Sequence, residues 1–286
     1  MGGGTAYLPR KPHPALAPYV ISMAAYDMSL GAPGVHRGLP SPALTLVLPL
    51  GEAIDVGWSG APATRAPRRS LLSGLHVAPA AIHHDGHQTG VQLMLTTSGA
   101  RALLGLPAAA LSRELVELDQ LDAIAGAPQL RSLPERLHAE DDQEELLRLT
   151  ETALLAGLSR HDGPGPRPEV ARAQRALRHG IPVSEVAVEV GWSRRHLSEQ
   201  FRAECGIGPK EYQRIARFQG SVRLLLEAGR AGRVRLADVA ADAGYADQSH
   251  LTREWTALAG CTPTRWLAEE FPFVQDWRGE VDDDRP

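Results

Sequence analysis

Two sets of residues in this 286-residue chain have the types and spacing to do chemistry. The first is a group of imidazoles, His76 and then His83-His84-Asp85-Gly86-His87, whose nitrogens and carboxylate on neighbouring strands could hold Zn, Fe or Ni. Against that, Asp85-Gly86 also reads as a hairpin turn, histidines alternating along a strand can simply face solvent, and no glutamate follows at a helpful spacing. The second set is a pair of polar stripes. Arg195, Ser198, Glu199 and Arg202 recur at i, i+3, i+4 and i+7, and so do Ser249, Thr252, Arg253 and Thr256, which puts each group on one face of a helix. On an ordinary helix such a stripe is a solvated surface. On a helix lying in a DNA major groove it reads bases: arginine pairs with guanine O6 and N7, serine or threonine serves base or phosphate, and Glu199 can accept from cytosine. A nucleophilic triad, a phosphate-binding glycine loop and paired cysteine ligands are all missing, so no catalytic residue, metal or cofactor is assigned.

The elements that would position these residues follow from composition and punctuation. With 43% hydrophobic and 22% charged residues the chain reads as a globular protein, and its length exceeds what one core usually holds, so one boundary is expected. Residues 159–168 carry three prolines and two glycines and supply it as a linker. Ahead of it, residues 1–158 show short apolar stretches rich in turn residues, such as Ala43 to Leu48, Leu71-Leu72, Ile82 and Val91 to Leu95, that read as strands of a small barrel or sandwich. From Ser98, expected to cap a helix through Leu104, the period becomes helical. The acidic run Asp141 to Glu145 opens a longer helix with a broad leucine surface, which packs on the sheets or on a second copy of the chain. Cys205 and Cys261 read as reduced core thiols. No apolar run is long enough for a membrane span and no signal peptide is evident, so a cytoplasmic location is expected.

An internal repeat after the linker is the most informative feature. Val186 to Trp192 matches Val239 to Tyr245 at an offset of 53; the match resumes at 54 with His196-Leu197-Ser198 against His250-Leu251-Thr252 and Gly206 to Tyr212 against Gly260 to Trp266. Each copy reads as helix, sharp turn, helix over residues 183–205 and 236–259. Ala187 and Ala240 let the two helices approach, Gly191 and Gly244 suit the left-handed turn, and the rows Leu197, Phe201, Cys205 and Leu251, Trp255, Leu258 face the core. Between the copies, Pro209 and Gly229 bracket a helix of about 20 residues, roughly 30 Å, close to one turn of B-DNA. The net charge of −4 and the small basic excess of residues 169–271 mean that DNA binding must rest on local arginines.

These residues resemble the AraC/XylS family of bacterial transcription regulators. The likeness covers about residues 169–270 and is most specific in the second copy, Leu236 to Ala240, Gly244 to Trp255 and Gly260 to Pro263. The family usually has Phe where Leu251 and Trp255 stand, a basic residue at Thr256, and often an arginine at Glu199. The resemblance implies base or backbone contacts for Arg195, Ser198 and Glu199 in the first unit and Gln248, Ser249 and Arg253 in the second; Arg194, Arg202 and Thr252 complete the candidate set. It also implies a double-stranded DNA operator, a small-molecule effector, a homodimer, and contact with RNA polymerase in the case of an activator. Leu48 to Gly51 and Leu103 to Pro107 look like the front domain of a subset of actinobacterial members, a region generally used for effector binding or dimerisation.

The expectation is therefore an α+β protein: a sensing or dimerising barrel or sandwich with trailing helices over 1–158, a double helix-turn-helix domain over 169–271 and an acidic tail over 272–286. The effector would meet an apolar wall including Leu93, oriented by one or two of His83, His84 and His87; the alternative is a metal-responsive regulator built on those histidines.

Overall fold

The computed structural model describes residues 6–121, 128–158 and 167–274. Most of the expected linker, and the expected tail from residue 275, lie outside the described residues.

Among the described residues the front half is built on ten strands: β1 (Ala6–Arg10), β2 (Val20–Ser29), β3 (Gly34–Gly38), β4 (Leu44–Leu50), β5 (Ile54–Trp58), β6 (Ala66–Arg68), β7 (Leu71–Ser73), β8 (Ala80–His84), β9 (His87–Leu95) and β10 (Leu115–Val116). They form two antiparallel sheets, ordered β1-β2-β9-β4-β7-β10 and β3-β8-β5-β6. The sheets stay open. Among the described residues, edge strands β1 and β10 of the larger sheet pair only inward with β2 and β7, and β3 and β6 of the smaller pair only with β8 and β5, so the expected choice between barrel and sandwich falls against a closed barrel. The turn at Asp85-Gly86 carries the chain from one sheet to the other, so it does not close a hairpin within a single sheet.

Alternation along the strands sorts residues between two environments. Leu44, Leu46 and Leu48 of β4 and Val91, Leu93 and Leu95 of β9 belong to the main core with the helices behind the larger sheet. The opposite faces, with Tyr26, Val47, Ile54, Val56 and Ala80, form a second, smaller cluster between the sheets.

Behind the larger sheet lie α1 (Thr97–Leu104), α2 (Pro128–Arg131), α3 (Leu133–Leu137) and α4 (Gln143–Leu158). The α1 cap is Thr96, two residues before the expected Ser98: its backbone is extended and its Oγ1 accepts the Gly99 N–H at 2.9 Å. Helix α4 starts within the acidic run, with Glu144 and Glu145 in its first turn as expected, and buries Leu146, Leu147, Ala153 and Leu154 against its own chain, while Leu149 and Leu158 are half-buried.

The remaining helices are α5 (Pro168–Arg178), α6 (Val183–Glu189), α7 (Arg194–Cys205), α8 (Pro209–Arg230), α9 (Leu236–Asp242), α10 (Gln248–Ala259) and α11 (Pro263–Val274). Gly229, expected just past the end of α8, lies inside it, because the Ala231 N–H still donates to the Glu227 carbonyl and the reversal is made at Gly232, φ 64°. The main core runs without interruption from Leu93 and Leu103 through Leu177 to Phe201 and Trp255, so the front half and the paired helix units share buried surface.

Candidate nucleic-acid interface

Helices α6 and α7 make the first helix-turn-helix and α9 and α10 the second, and the two copies repeat each other bond for bond. Gly191 and Gly244 turn the chain at φ 74° and 73°. Directly after them the Trp192 N–H donates to Ala187 O and the Tyr245 N–H to Ala240 O, each at 2.8 Å, which holds the first helix against the turn. Ser193 Oγ then caps α7 at the His196 N–H (3.1 Å), and Asp247 Oδ1 caps α10 at the His250 N–H (2.7 Å).

Helix α8 carries both recognition helices. Its 22 residues span about 33 Å at 1.5 Å per residue. Phe201 of α7 packs edge-on against Tyr212 with centroids 5.3 Å apart, and Trp255 of α10 packs against Phe218 at 5.0 Å. Trp255 Nε1 also donates to the buried Ser221 Oγ at 2.9 Å. Phe218 and Ser221 of α8 are both buried, and the reason for each becomes legible only once its partner on α10 is known.

The stripes opposite these buried rows are presented to solvent. Arg194, Arg195, Glu199 and Arg202 are exposed on α7 with Ser198 half-buried; Gln248, Ser249, Arg253 and Thr256 are exposed on α10 with Thr252 half-buried. Ser198 Oγ donates to Arg194 O and Thr252 Oγ1 to Gln248 O, both at 2.9 Å, so these hydroxyls rest on their own helices. Arg195 Nε lies 2.8 Å from Glu199 Oε1, and the guanidinium holds that carboxyl below the usual carboxylate range. The first stripe is thus partly self-neutralised. Arg253 has no ion pair with any described residue, so the second stripe offers a free, fork-shaped donor.

The effector-binding candidates are divided by the structure. Between the two sheets lies a cavity of about 210 Å³, mostly apolar in its lining, with walls from Val47, Ile54, Val56, Ile82 and Met94. Leu93 is not on that wall. It sits on the opposite face of β9, fully buried under the helices, so the row Val91, Leu93, Leu95 is core and the row Gln88, Gln92, Met94 faces the cavity. His83, His84 and His87 line an adjoining cleft with Gly51, Asp55 and Asp85. His87 Nε2 pairs with Asp27 Oδ1 at 2.6 Å at the surface, and among the described residues no group of three or more His, Cys, Asp or Glu is placed to hold a metal ion. His76 does reach the cavity; its Nδ1 donates to Ala78 O (2.6 Å), and burial depresses its pKa to about 4, so the ring is neutral.

The cavity is closed in part by the helix-turn-helix half, through Gln219 and Val222 of α8 and Trp266 of α11. Other contacts tie the halves together. Arg101 of α1 grips Glu204 near the end of α7, Arg113 pairs with Glu211 at the start of α8 (3.0 Å), and Gln174 of α5 donates to Thr97 Oγ1 (2.8 Å) and Cys205 Sγ (3.0 Å). On the other side Arg37 of β3 pairs with Glu269 and Glu270 of α11, with His36 against Glu270. Both cysteines are buried thiols, and burial pushes Cys205 up to about 12, which fits the expected core role.

Two helix-turn-helix units rigidly bridged by one long helix define a double helix-turn-helix DNA-binding domain. Residues 186–269 match the family model described as Helix-turn-helix domain, and the C-terminal region carries an AraC-type domain of this kind. The chain is 29% identical over 127 residues to the virulence regulon transcriptional activator VirF of Yersinia enterocolitica, covering 43% of this chain and 45% of that protein. It is 28% identical, with the same coverage, to the thermoregulatory protein LcrF of Yersinia pestis. The alignments thus span less than half the length of these curated relatives. An apo variant of ToxT from Vibrio cholerae shares the fold at 10% identity, with a TM-score of 0.51 over 91% of this chain and 99% of that one. Among the described residues no helix is long and apolar enough to cross a membrane.

Proposed function

We propose that this protein is a sequence-specific DNA-binding transcription regulator of the AraC type, acting in the cytoplasm, whose front half senses a small molecule. The observation that carries the reading is the matched presentation of two exposed polar stripes on α7 and α10, both anchored to a bridge of about 33 Å. One turn of B-DNA is about 34 Å, so both helices can enter successive major grooves on one side of the duplex. In the second unit Arg253, Gln248 and Ser249 read base edges, with Thr252 at the flank. In the first, Arg195 and Glu199 read as a pair, and Arg194, Ser198 and Arg202 meet backbone or base.

Effector control is supported by the cavity between the sheets, because its wall is completed by α8 and α11 of the DNA-binding half. A molecule seated there touches both halves. Ligand and DNA must then change each other's affinity by the same factor.

The test uses the full chain and an operator selected from random sequence. Inserting about five base pairs, half a helical turn, between the two contacted segments should abolish high-affinity binding. Unchanged affinity after the insertion would remove the rigid two-unit model.

A further inference from the structure

The cavity between the sheets has a chemical character that narrows its occupant. Gln92 lies near the middle of β9 on its cavity face, with Ala24 of β2 and Val47 of β4 as its flanking register partners. Its carboxamide, with two donors and an acceptor, is half-buried on a largely apolar wall, and the Gln92 side chain has no hydrogen-bond partner among the described residues. The same holds for Gln219, which reaches the cavity from α8.

Charge is accounted for elsewhere. Among the described residues Arg37 is the sole permanently charged side chain on the wall, and it is committed to Glu269 and Glu270. An anionic ligand would add a third carboxylate to one guanidinium, and a cationic ligand would meet no carboxylate on the wall. Size sets a further limit, since an apolar cavity of about 150 Å³ takes benzene and this one measures about 210 Å³.

We infer that the cavity binds an uncharged, mostly apolar molecule of about one substituted six-membered ring carrying a single carbonyl-type group, which Gln92 hydrogen-bonds from the sheet while Gln219 and Trp266 close over it from the DNA-binding half. This names the ligand class for the sensing role proposed above, and its control of DNA binding rests on that reading.

Three near-isosteric probes test it by calorimetry on the full chain: acetophenone, ethylbenzene and benzoate. Acetophenone should bind one per chain, ethylbenzene about tenfold more weakly because the carboxamide stays unmet, and benzoate about a hundredfold more weakly. Gln92→Met, which keeps the volume, should weaken acetophenone about tenfold and leave ethylbenzene within about twofold. In the wild-type chain the side-chain amide resonance of Gln92 should move with acetophenone and stay still with ethylbenzene, a readout that does not depend on the variant folding. Equal binding of acetophenone and ethylbenzene, tighter binding of benzoate, or a Gln92 amide that acetophenone leaves unmoved would overturn the inference. Because these measurements need no DNA, their failure overturns the ligand class alone. Acetophenone that binds as described but leaves operator affinity unchanged at saturation overturns the sensing role alone.

Discussion

The Arg101 guanidinium holds both carboxylate oxygens of Glu204, with Nε 2.8 Å from Oε1 and Nη2 2.8 Å from Oε2, and so fastens helix α1 of the front half to the last turn of the first recognition helix. Glu204 is almost fully buried, whereas the Arg101 side chain is 28% exposed. Arg101→Met leaves a buried carboxylate without its partner and should cost about 3 kcal/mol, the low end for a buried pair because Arg101 still meets water. Arg101→Met with Glu204→Met should recover most of that loss. Urea unfolding of both single variants and the double gives the coupling; additive losses would mean the pair does not fasten the halves.

Gly206 ends α7 at φ 77°, and a Cβ there would stand 2.2 Å from Ser112 Cβ in the front half. Gly191 has a similar φ of 74° but opens onto free space. Gly191→Ala should therefore cost about 1 kcal/mol, the left-handed penalty alone, whereas Gly206→Ala should cost more than twice as much because the halves must also part. Thermal unfolding ranks the two, and equal losses would contradict the contact.

In the reading stripes, Arg253→Ala should lose about 1 to 3 kcal/mol on the selected operator and relax preference at one position. Glu199→Gln should act in the opposite direction. It removes a negative charge from the groove face and frees Arg195, so affinity for all sequences should rise a few-fold and its salt dependence should steepen. Competition binding on operator and scrambled DNA at two salt concentrations checks both; a Glu199→Gln variant that weakens every site would reverse its assigned role.

His76 is neutral and buried, its pKa pulled from 6.5 to about 4 by desolvation, so the unfolded chain takes up a proton there before the folded one does. Its contribution is fully present above pH 6.5 and drains away as pH falls from 6.5 to about 4. His76→Asn keeps a donor toward the Ala78 carbonyl without the titration. Between neutral pH and about 4 the wild type should lose on the order of 3 kcal/mol more than the variant. Chemical denaturation at both pH values reads the difference, and parallel pH profiles would place the titration elsewhere.

The sequence by itself determined the DNA-reading half, because every signal for it is local. The glycine of the turn, the buried row and the opposite stripe fall within one helix-turn-helix, and the second copy repeats them at nearly constant offset. Strand positions in the front half were legible for the same reason. Which face of those strands looked where was not, since alternation divides residues into two sets without saying which neighbour each set meets. The more apolar set, Leu93 and its companions, went under helices, and the mixed set with Gln92 turned toward the second sheet. A leucine row is best buried where helices exclude all water, whereas a wall that must leave a cavity can keep a carboxamide. The join of the halves through Arg101 and Glu204, and the closure of the cavity by Gln219 and Trp266, pair residues far apart in the chain, so only the folded structure could bring them together.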